Sequence, residues 1–121
     1  MKIWTGIVTE KIEESKVFYM NHFGCELVFE SDWFVLLQSG ETELGFMLPN
    51  LEEQAPIFRD ATNGKGLWIV IDVDNVDAEY ARIQASGINI EYEIKDEPWG
   101  DRHFVLKDPN GIAVDVVQHR G

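Results

Sequence analysis

Apolar and polar residues alternate over short stretches in most of this chain, as half-buried β-strands require. Two stretches instead space their apolar residues three or four apart, as helices do. The helical spacing predicts helices within residues 10–24 and 74–87, and Asp74 with Asp77 suggests a capping box at the second start. The alternation predicts eight strands, near residues 2–8, 25–31, 32–38, 42–48, 67–73, 89–94, 101–107 and 112–118.

The predicted elements repeat along the chain. Each half runs strand, helix and then three strands, a βαβββ unit, and Trp4 and Trp68 take matching places in the two first strands. Residues 49–66 hold two prolines and two glycines and are interpreted as a linker between repeat one, about 1–48, and repeat two, about 67–121. The sequence predicts one α+β domain, residues 1–121, in which two βαβββ modules form a curved, mostly antiparallel sheet around a cleft.

Composition narrows the possible partners and the compartment. The 121 residues are 45% hydrophobic, and the formal net charge of −12 disfavours nucleic acid and anionic membrane surfaces. The single cysteine, Cys25, permits no intrachain disulfide, which fits a reducing compartment. No stretch has the apolar core of a signal peptide or the length of a membrane span. We expect a cytoplasmic protein with neither a nucleic-acid nor a membrane partner.

Asp115 lies in the middle of the last predicted strand, where a carboxylate needs a partner. A four-residue turn over 108–111 sets the register of the last two strands. In that register Phe104 pairs with Asp115, and both face the cleft. Arg102 lies diagonal to Asp115, within reach of a salt bridge, and His103 lies on the opposite face.

Two segments carry a resemblance to a known family. "SKVFYMNHFGCEL" (15–27) and "PWGDRHFVLKDPNGIAVDVVQ" (98–118) resemble the first helix and the C-terminal signature of the vicinal oxygen chelate superfamily. That superfamily includes glyoxalase I, extradiol dioxygenases, and the fosfomycin and bleomycin resistance proteins. The resemblance spans residues 3–119 and implies the paired βαβββ fold and a homodimer. The fold itself hosts many chemistries.

The resemblance also marks the positions from which relatives hold a metal. In metal-binding members a His or Gln on the first strand and a Glu on the last strand of each half are the ligands. These positions fall here on Trp4, Gly45, Trp68 and Asp115. Indole offers only an N–H and glycine has no side chain, so only Asp115 can donate a lone pair. We expect no metal and no other cofactor, and Glu43 is the candidate for a displaced ligand.

Two tryptophans on equivalent strands favour a different kind of site. Indole rings can stack on a planar ligand or hold a cation, and bleomycin resistance proteins are metal-free relatives that sequester a planar drug. The resemblance therefore implies a metal-free protein that sequesters an apolar or aromatic small molecule, planar or cationic, with antibiotic resistance as one role. The candidate ligand-binding residues are Trp4, Trp33, Trp68, Trp99, Arg102, Phe104 and Asp115.

Three alternatives stay open at this point. The protein could be a glyoxalase-like lyase or isomerase with Asp115 or Glu43 as general base. It could be a dioxygenase-like metal enzyme with non-standard ligands, completed by a partner chain. The tryptophans could also fill the core and leave no pocket. The three histidines are interpreted as structural or solvated; they are His22, His103 and His119.

Overall fold

The computed structural model describes residues 1–120, which form two α-helices and eight β-strands in the predicted order. The strands make two four-stranded mixed sheets, so the α+β class and the two βαβββ modules are confirmed. Neither helix of residues 1–120 is long and apolar enough to cross a membrane. The helices are α1 (Ile12–Phe23) and α2 (Val76–Ala85). The strands are β1 (Thr5–Val8), β2 (Glu26–Glu30), β3 (Phe34–Ser39), β4 (Thr42–Met47), β5 (Trp68–Asp72), β6 (Ile90–Asp96), β7 (Asp101–Lys107) and β8 (Ala113–His119).

The chain divides into two compact units at Asn63 and Gly64. The first unit holds a sheet of order β1-β4-β3-β2, with β1 parallel to β4 and the other neighbours antiparallel. Alternation along the strands buries Val35 and Phe46 on one face, and Tyr19 of α1 stacks on Phe46 with ring centroids 5.7 Å apart. We call the face that α1 does not cover the first open face.

The second unit repeats this plan with the order β5-β8-β7-β6 and a parallel β5–β8 pair. Helix α2 covers one face, where Tyr80 meets the buried Phe104 edge-on at 5.0 Å. The face that α2 does not cover is the second open face. Asn75 caps α2, because its side chain accepts a hydrogen bond of 3.1 Å from the Ala78 amide. The predicted Asp74 capping box is wrong, since the helix begins only at Val76.

The hairpin between β7 and β8 differs from the prediction by one residue. The amide of Asp108 donates to the carbonyl of Ile112, and Gly111 adopts a left-handed φ of 80°. The Asp108 carboxylate accepts from the Ile112 amide at 3.0 Å. This is a type I turn followed by a glycine bulge, and it pairs Lys107 with Ala113 instead of Ile112. A shift of one residue moves every side chain of β7 to the other face of the sheet relative to β8.

The segment interpreted as a linker is an ordered loop. It contains a short 3-10 helix, Pro56–Phe58, and a hydrogen bond from the Asn50 amide to the Arg59 carbonyl closes its first part, residues 50–59. The Arg59 guanidinium donates to the carbonyls of Glu52 and Gln54 at 3.0 and 2.9 Å. These bonds satisfy backbone acceptors that water would otherwise occupy, and they give the loop a defined shape.

Candidate functional site

Trp4 lies on the first open face, directly over Gly45. A Cβ built on Gly45 would lie 2.8 Å from Trp4 Cζ3 and 3.2 Å from two ring carbons of Phe34. Carbon atoms cannot approach so closely without displacement, so the absence of a side chain at Gly45 makes the space that the indole occupies. Trp4 nevertheless remains 46% exposed, so the residue is not enclosed in the core.

Trp4 belongs to a group of four rings centred on Phe34. The centroids of Trp4, Phe29 and Trp33 lie 6.4, 6.2 and 5.8 Å from that of Phe34. We call these four residues the first aromatic cluster. Phe29 is 53% exposed and Trp33 is 39% exposed, so the cluster presents a broad aromatic surface instead of filling the core.

Glu43, predicted as a general base or displaced metal ligand, is held in an ion pair with Lys2. Its side chain is 13% exposed, against 55% for the lysine. Glu43 lies on the same face of β4 as Gly45, as predicted, two residues before it along the strand. The carboxylate is therefore engaged by a cation of its own chain.

The second open face carries Trp68 and Asp115. In the parallel β5–β8 pair Trp68 lies opposite Ala113 and Val70 opposite Asp115, which places both functional candidates on one face. Trp68 is 64% exposed, so its indole does not fill the core of its unit. Apolar surface from Trp68 and Val70 thus lies beside the Asp115 carboxylate.

Asp115 is paired with His103 instead of Arg102. His103 Nδ1 lies 2.6 Å from Asp115 Oδ1, diagonally across β7 and β8. The predicted Arg102 contact is wrong because of the one-residue register shift. Arg102 points to the other face and pairs with Asp77 at 2.9 Å. The prediction that Phe104 contacts the ligand is wrong for the same reason. Phe104 is fully buried on the face that α2 covers and cannot contact a ligand at Asp115.

His103 bridges two carboxylates. Its Nε2 lies 2.8 Å from Glu97 Oε2, and Glu97 also accepts from the Tyr92 hydroxyl at 3.2 Å and pairs with Lys95. We call these residues, with Asp115, the His103 cluster. Partial burial lowers the pKa of His103, but its hydrogen bonds to Glu97 and Asp115 outweigh this and hold the pKa above its usual value. The same His103 bond lowers the pKa of Glu97.

His119 makes a second bridge on this face. Its Nδ1 lies 2.6 Å from Asp101 and its Nε2 lies 2.9 Å from Asp72, and these two bonds raise the pKa of the imidazole. Asp101 also accepts from the Trp99 indole N–H at 3.1 Å. Trp99 is 67% exposed, and this bond fixes the N–H edge of its indole. Trp99 also meets His103 edge-on, with ring centroids 6.5 Å apart.

Sequence reasoning missed the polar half of this site. His103 and His119 were interpreted as structural or solvated, and Glu97 was not considered. One signal was available: a glycine that ends an Asp-Pro-Asn-Gly turn favours the left-handed conformation that creates a bulge. A register that included the bulge would have placed His103 beside Asp115.

The residues at the family's metal positions do not fit a divalent ion. Trp4, Gly45 and Trp68 have no side-chain lone pair to donate to a metal, and the Asp115 carboxylate is hydrogen-bonded to His103. Within the part of the chain that the structure describes, no group of three or more His, Cys, Asp or Glu side chains is placed to hold a metal. A site built on these residues therefore relies on aromatic surface and hydrogen bonds.

Comparison with known proteins places this architecture in a family. Residues 3–116 match the family model described as Glyoxalase/Bleomycin resistance protein/Dioxygenase superfamily. No curated protein sequence matches the chain significantly.

Solved structures with the same fold cover nearly the whole chain. Lactoylglutathione lyase from Agrobacterium tumefaciens is 25% identical with a TM-score of 0.79, over 96% of this chain and 92% of that one. A glyoxalase/bleomycin resistance protein/dioxygenase from Nocardioides is 20% identical with a TM-score of 0.81, over 99% and 84%. TioX from Micromonospora sp. ML1 is 17% identical with a TM-score of 0.76, over 98% and 99%. The last two likenesses show the fold alone.

Proposed function

Since this chain belongs to the Glyoxalase/Bleomycin resistance protein/Dioxygenase superfamily, we propose that it binds and sequesters a planar or aromatic small molecule without a metal. The observation that carries the proposal is the half-exposed Trp4 ring seated on Gly45. An indole fills the place of a chelating side chain there and offers a flat apolar surface to a guest.

The second open face supports the same function with a polar anchor. Small-molecule sites combine apolar walls with a few fixed polar groups that orient the ligand. Trp68 and Trp99 supply exposed aromatic surface, and His103 holds Asp115 and Glu97 in place. An amine or other donor on the ligand would find two hydrogen-bonded carboxylates here. The net charge of −12 favours a cationic guest, although salt screens this effect.

A sequestering protein of this kind would act in stoichiometric amounts, as a resistance factor does. It needs no turnover, so neither a metal nor another cofactor is part of the proposal. We also propose a homodimer, because the edge strand β2 exposes Leu27, Val28 and Phe29 at 42, 47 and 53%. A single cysteine and an acidic surface support a cytoplasmic location without nucleic-acid or membrane partners.

Fluorescence titration with planar probes tests this function. We expect saturable quenching by at least one of acridine, proflavine or anthracene-9-carboxylate, weakened about tenfold or more by Trp68→Ala or Trp4→Ala. Phe58→Ala is the matched control, because Phe58 is 49% exposed but belongs to the 3-10 helix of the loop and to no strand of either sheet. If no probe binds, or if the tryptophan variants change only the unfolding midpoint, the proposal is wrong.

A second candidate function is a glyoxalase-like lyase or isomerase. It is favoured by the 2.6 Å contact between His103 and Asp115, which is a positioned acid–base pair on an open face. Turnover of lactoylglutathione, the compound named in the Agrobacterium relative, would support it. In that case Asp115→Asn and His103→Gln should each lower kcat about 100-fold or more, while Glu52→Gln should leave it unchanged. Absence of turnover excludes this substrate and leaves the binding function untouched.

A further inference from the structure

A cavity of about 430 Å³ lies in the first unit, where the start of β3 and the end of β4 meet the ordered loop. Trp33 belongs both to its lining and to the first aromatic cluster, but the other residues of that cluster do not line it. Its lining combines apolar and acidic side chains. These are Asp32, Trp33, Leu48, Leu51, Glu53 and Gln54.

Hydrogen bonds hold both walls of this cavity in place. On the strand side of the cavity, the Leu48 amide donates to the Trp33 carbonyl at 3.0 Å, which joins these two lining residues. The Gln54 amide donates to the Leu51 carbonyl at 3.1 Å, and the Arg59 guanidinium donates to the Gln54 carbonyl at 2.9 Å. The loop wall is thus shaped before any ligand arrives, which lowers the entropic cost of binding.

The charged side chains that line the cavity, Asp32 and Glu53, are both acidic, and the Arg59 guanidinium bonded to the Gln54 carbonyl is not part of the lining. Asp32 and Glu53 form no ion pair with any residue of 1–120. A neighbouring hollow of about 560 Å³ shares Asp32 and Leu48 with this cavity and is lined by further carboxylates. Two of these carboxylates, Glu13 and Glu30, form ion pairs with Lys16. An anionic ligand would be repelled, whereas a cation would meet unpaired carboxylates.

We propose that this cavity is a second binding site, for an organic ammonium compound with an apolar body. The body contacts Trp33, Leu48 and Leu51, and the ammonium group is directed to Asp32 and Glu53. The indole adds attraction for the cation through its ring face. The volume is within the range of small-molecule sites. This site shares Trp33 with the first aromatic cluster, but its lining includes neither Trp4 nor Trp68 nor any residue of the His103 cluster, so it can be tested separately from the function proposed above.

Titration of ¹⁵N-labelled protein with benzylammonium, followed through the four indole N–H signals, tests the proposal. Trp33→Phe assigns the Trp33 signal. We expect a saturable shift of that signal and of the amides of residues 51–54. The neutral isostere benzyl alcohol should bind about fivefold or more weakly, because it cannot interact with the carboxylates.

Charge variants identify the anchor. The double variant Asp32→Asn/Glu53→Gln should weaken benzylammonium binding about fivefold or more, while Glu52→Gln, on the same loop but outside the lining, should change it less than about twofold. The proposal is overturned if benzyl alcohol binds equally well, if the double variant binds like wild type, or if benzylammonium shifts the Trp4, Trp68 or Trp99 signal instead of the Trp33 signal. A shift at Trp4, Trp68 or Trp99 would report on the function proposed above, so failure here and failure of that function are distinguishable.

Discussion

His103 Nδ1 and Asp115 Oδ1 lie 2.6 Å apart because the turn before β8 contains a bulge at Gly111. The bulge sets a register in which Val105 faces Asp115 and His103 lies one diagonal step away. A backbone detail in a hairpin turn therefore decides which side chain accompanies the most prominent carboxylate of the second open face.

Gly111→Ala should destabilise the protein by about 1–2 kcal/mol. The φ of 80° at Gly111 is costly for a residue with a Cβ, and the space around that position is otherwise open. Gly111→Asn should cost less, because asparagine tolerates the left-handed region. Urea unfolding measures both. Equal stability of wild type and Gly111→Ala would show that the bulge is absent.

The pKa values of His103 and His119 should both lie above the usual value of about 6.5 for histidine. A raised folded-state pKa stabilises the fold fully below the unfolded pKa and loses that effect as pH rises through the folded value. The free energy of unfolding should therefore fall as pH rises from about 6 to 9. His103→Gln should cost about 1–3 kcal/mol at pH 6 and less at pH 9.

NMR titration of the two imidazoles provides the control for this prediction. Asp115→Asn should lower the pKa of His103, because it removes one of the two carboxylates that favour the charged ring. The same variant should leave His119 unchanged, since that ring is held by Asp101 and Asp72. A His103 that titrates at or below the ordinary value would contradict the bridge between Asp115 and Glu97.

Gly45→Ala should displace Trp4 and destabilise the fold by about 1–3 kcal/mol, as overpacking does. The added methyl group would lie too close to both the indole and the Phe34 ring. Gly6→Ala is the matched control on the neighbouring strand, because a Cβ there meets only Trp4 Cζ3 at an ordinary 4.0 Å. The contrast between the two variants is read from urea unfolding and from tryptophan emission.

A double variant separates the indole contact from other effects of the alanine. In the Trp4→Ala background Gly45→Ala should cost much less, giving a coupling energy of about 1 kcal/mol or more. Additive effects of the two substitutions would mean that Trp4 does not rest on Gly45, and the proposed binding surface on the first open face would lose its basis.

Asn75→Ala should destabilise the protein by about 1 kcal/mol, the usual effect of losing a helix N-cap. Asp74→Ala is the control and should change the free energy of unfolding by less than about half as much. Chemical denaturation distinguishes them. A larger effect at Asp74 would restore the capping box that the sequence suggested.

Hydrophobic periodicity was enough to predict both α-helices and all eight strands of residues 1–120, since the helical spacing around Tyr80 and the alternation around Asp115 depend only on which face is buried. Cross-strand pairing depends instead on the turn. Because the predicted turn omitted the bulge at Gly111, the predicted partner of Asp115 was Arg102, whereas the structure pairs Asp115 with His103. The position of Trp4 was predicted from its alternation with Gly6.

Contacts that side chains make with irregular loop segments could not be predicted. The ordering of the loop by Arg59 arises from one guanidinium meeting two backbone carbonyls, and no spacing pattern announces such bonds. The same holds for Glu97, whose loop position gave no indication that Nε2 of His103 would meet it.

The metal content of protein purified without chelator or added metal tests the central claim most directly. The resemblance implies that Trp4 and Trp68 replace chelating side chains, and we therefore expect elemental analysis to find less than about 0.1 equivalents of zinc, nickel, manganese or iron per chain. One equivalent of any of these metals, bound tightly enough to survive purification, would contradict the account.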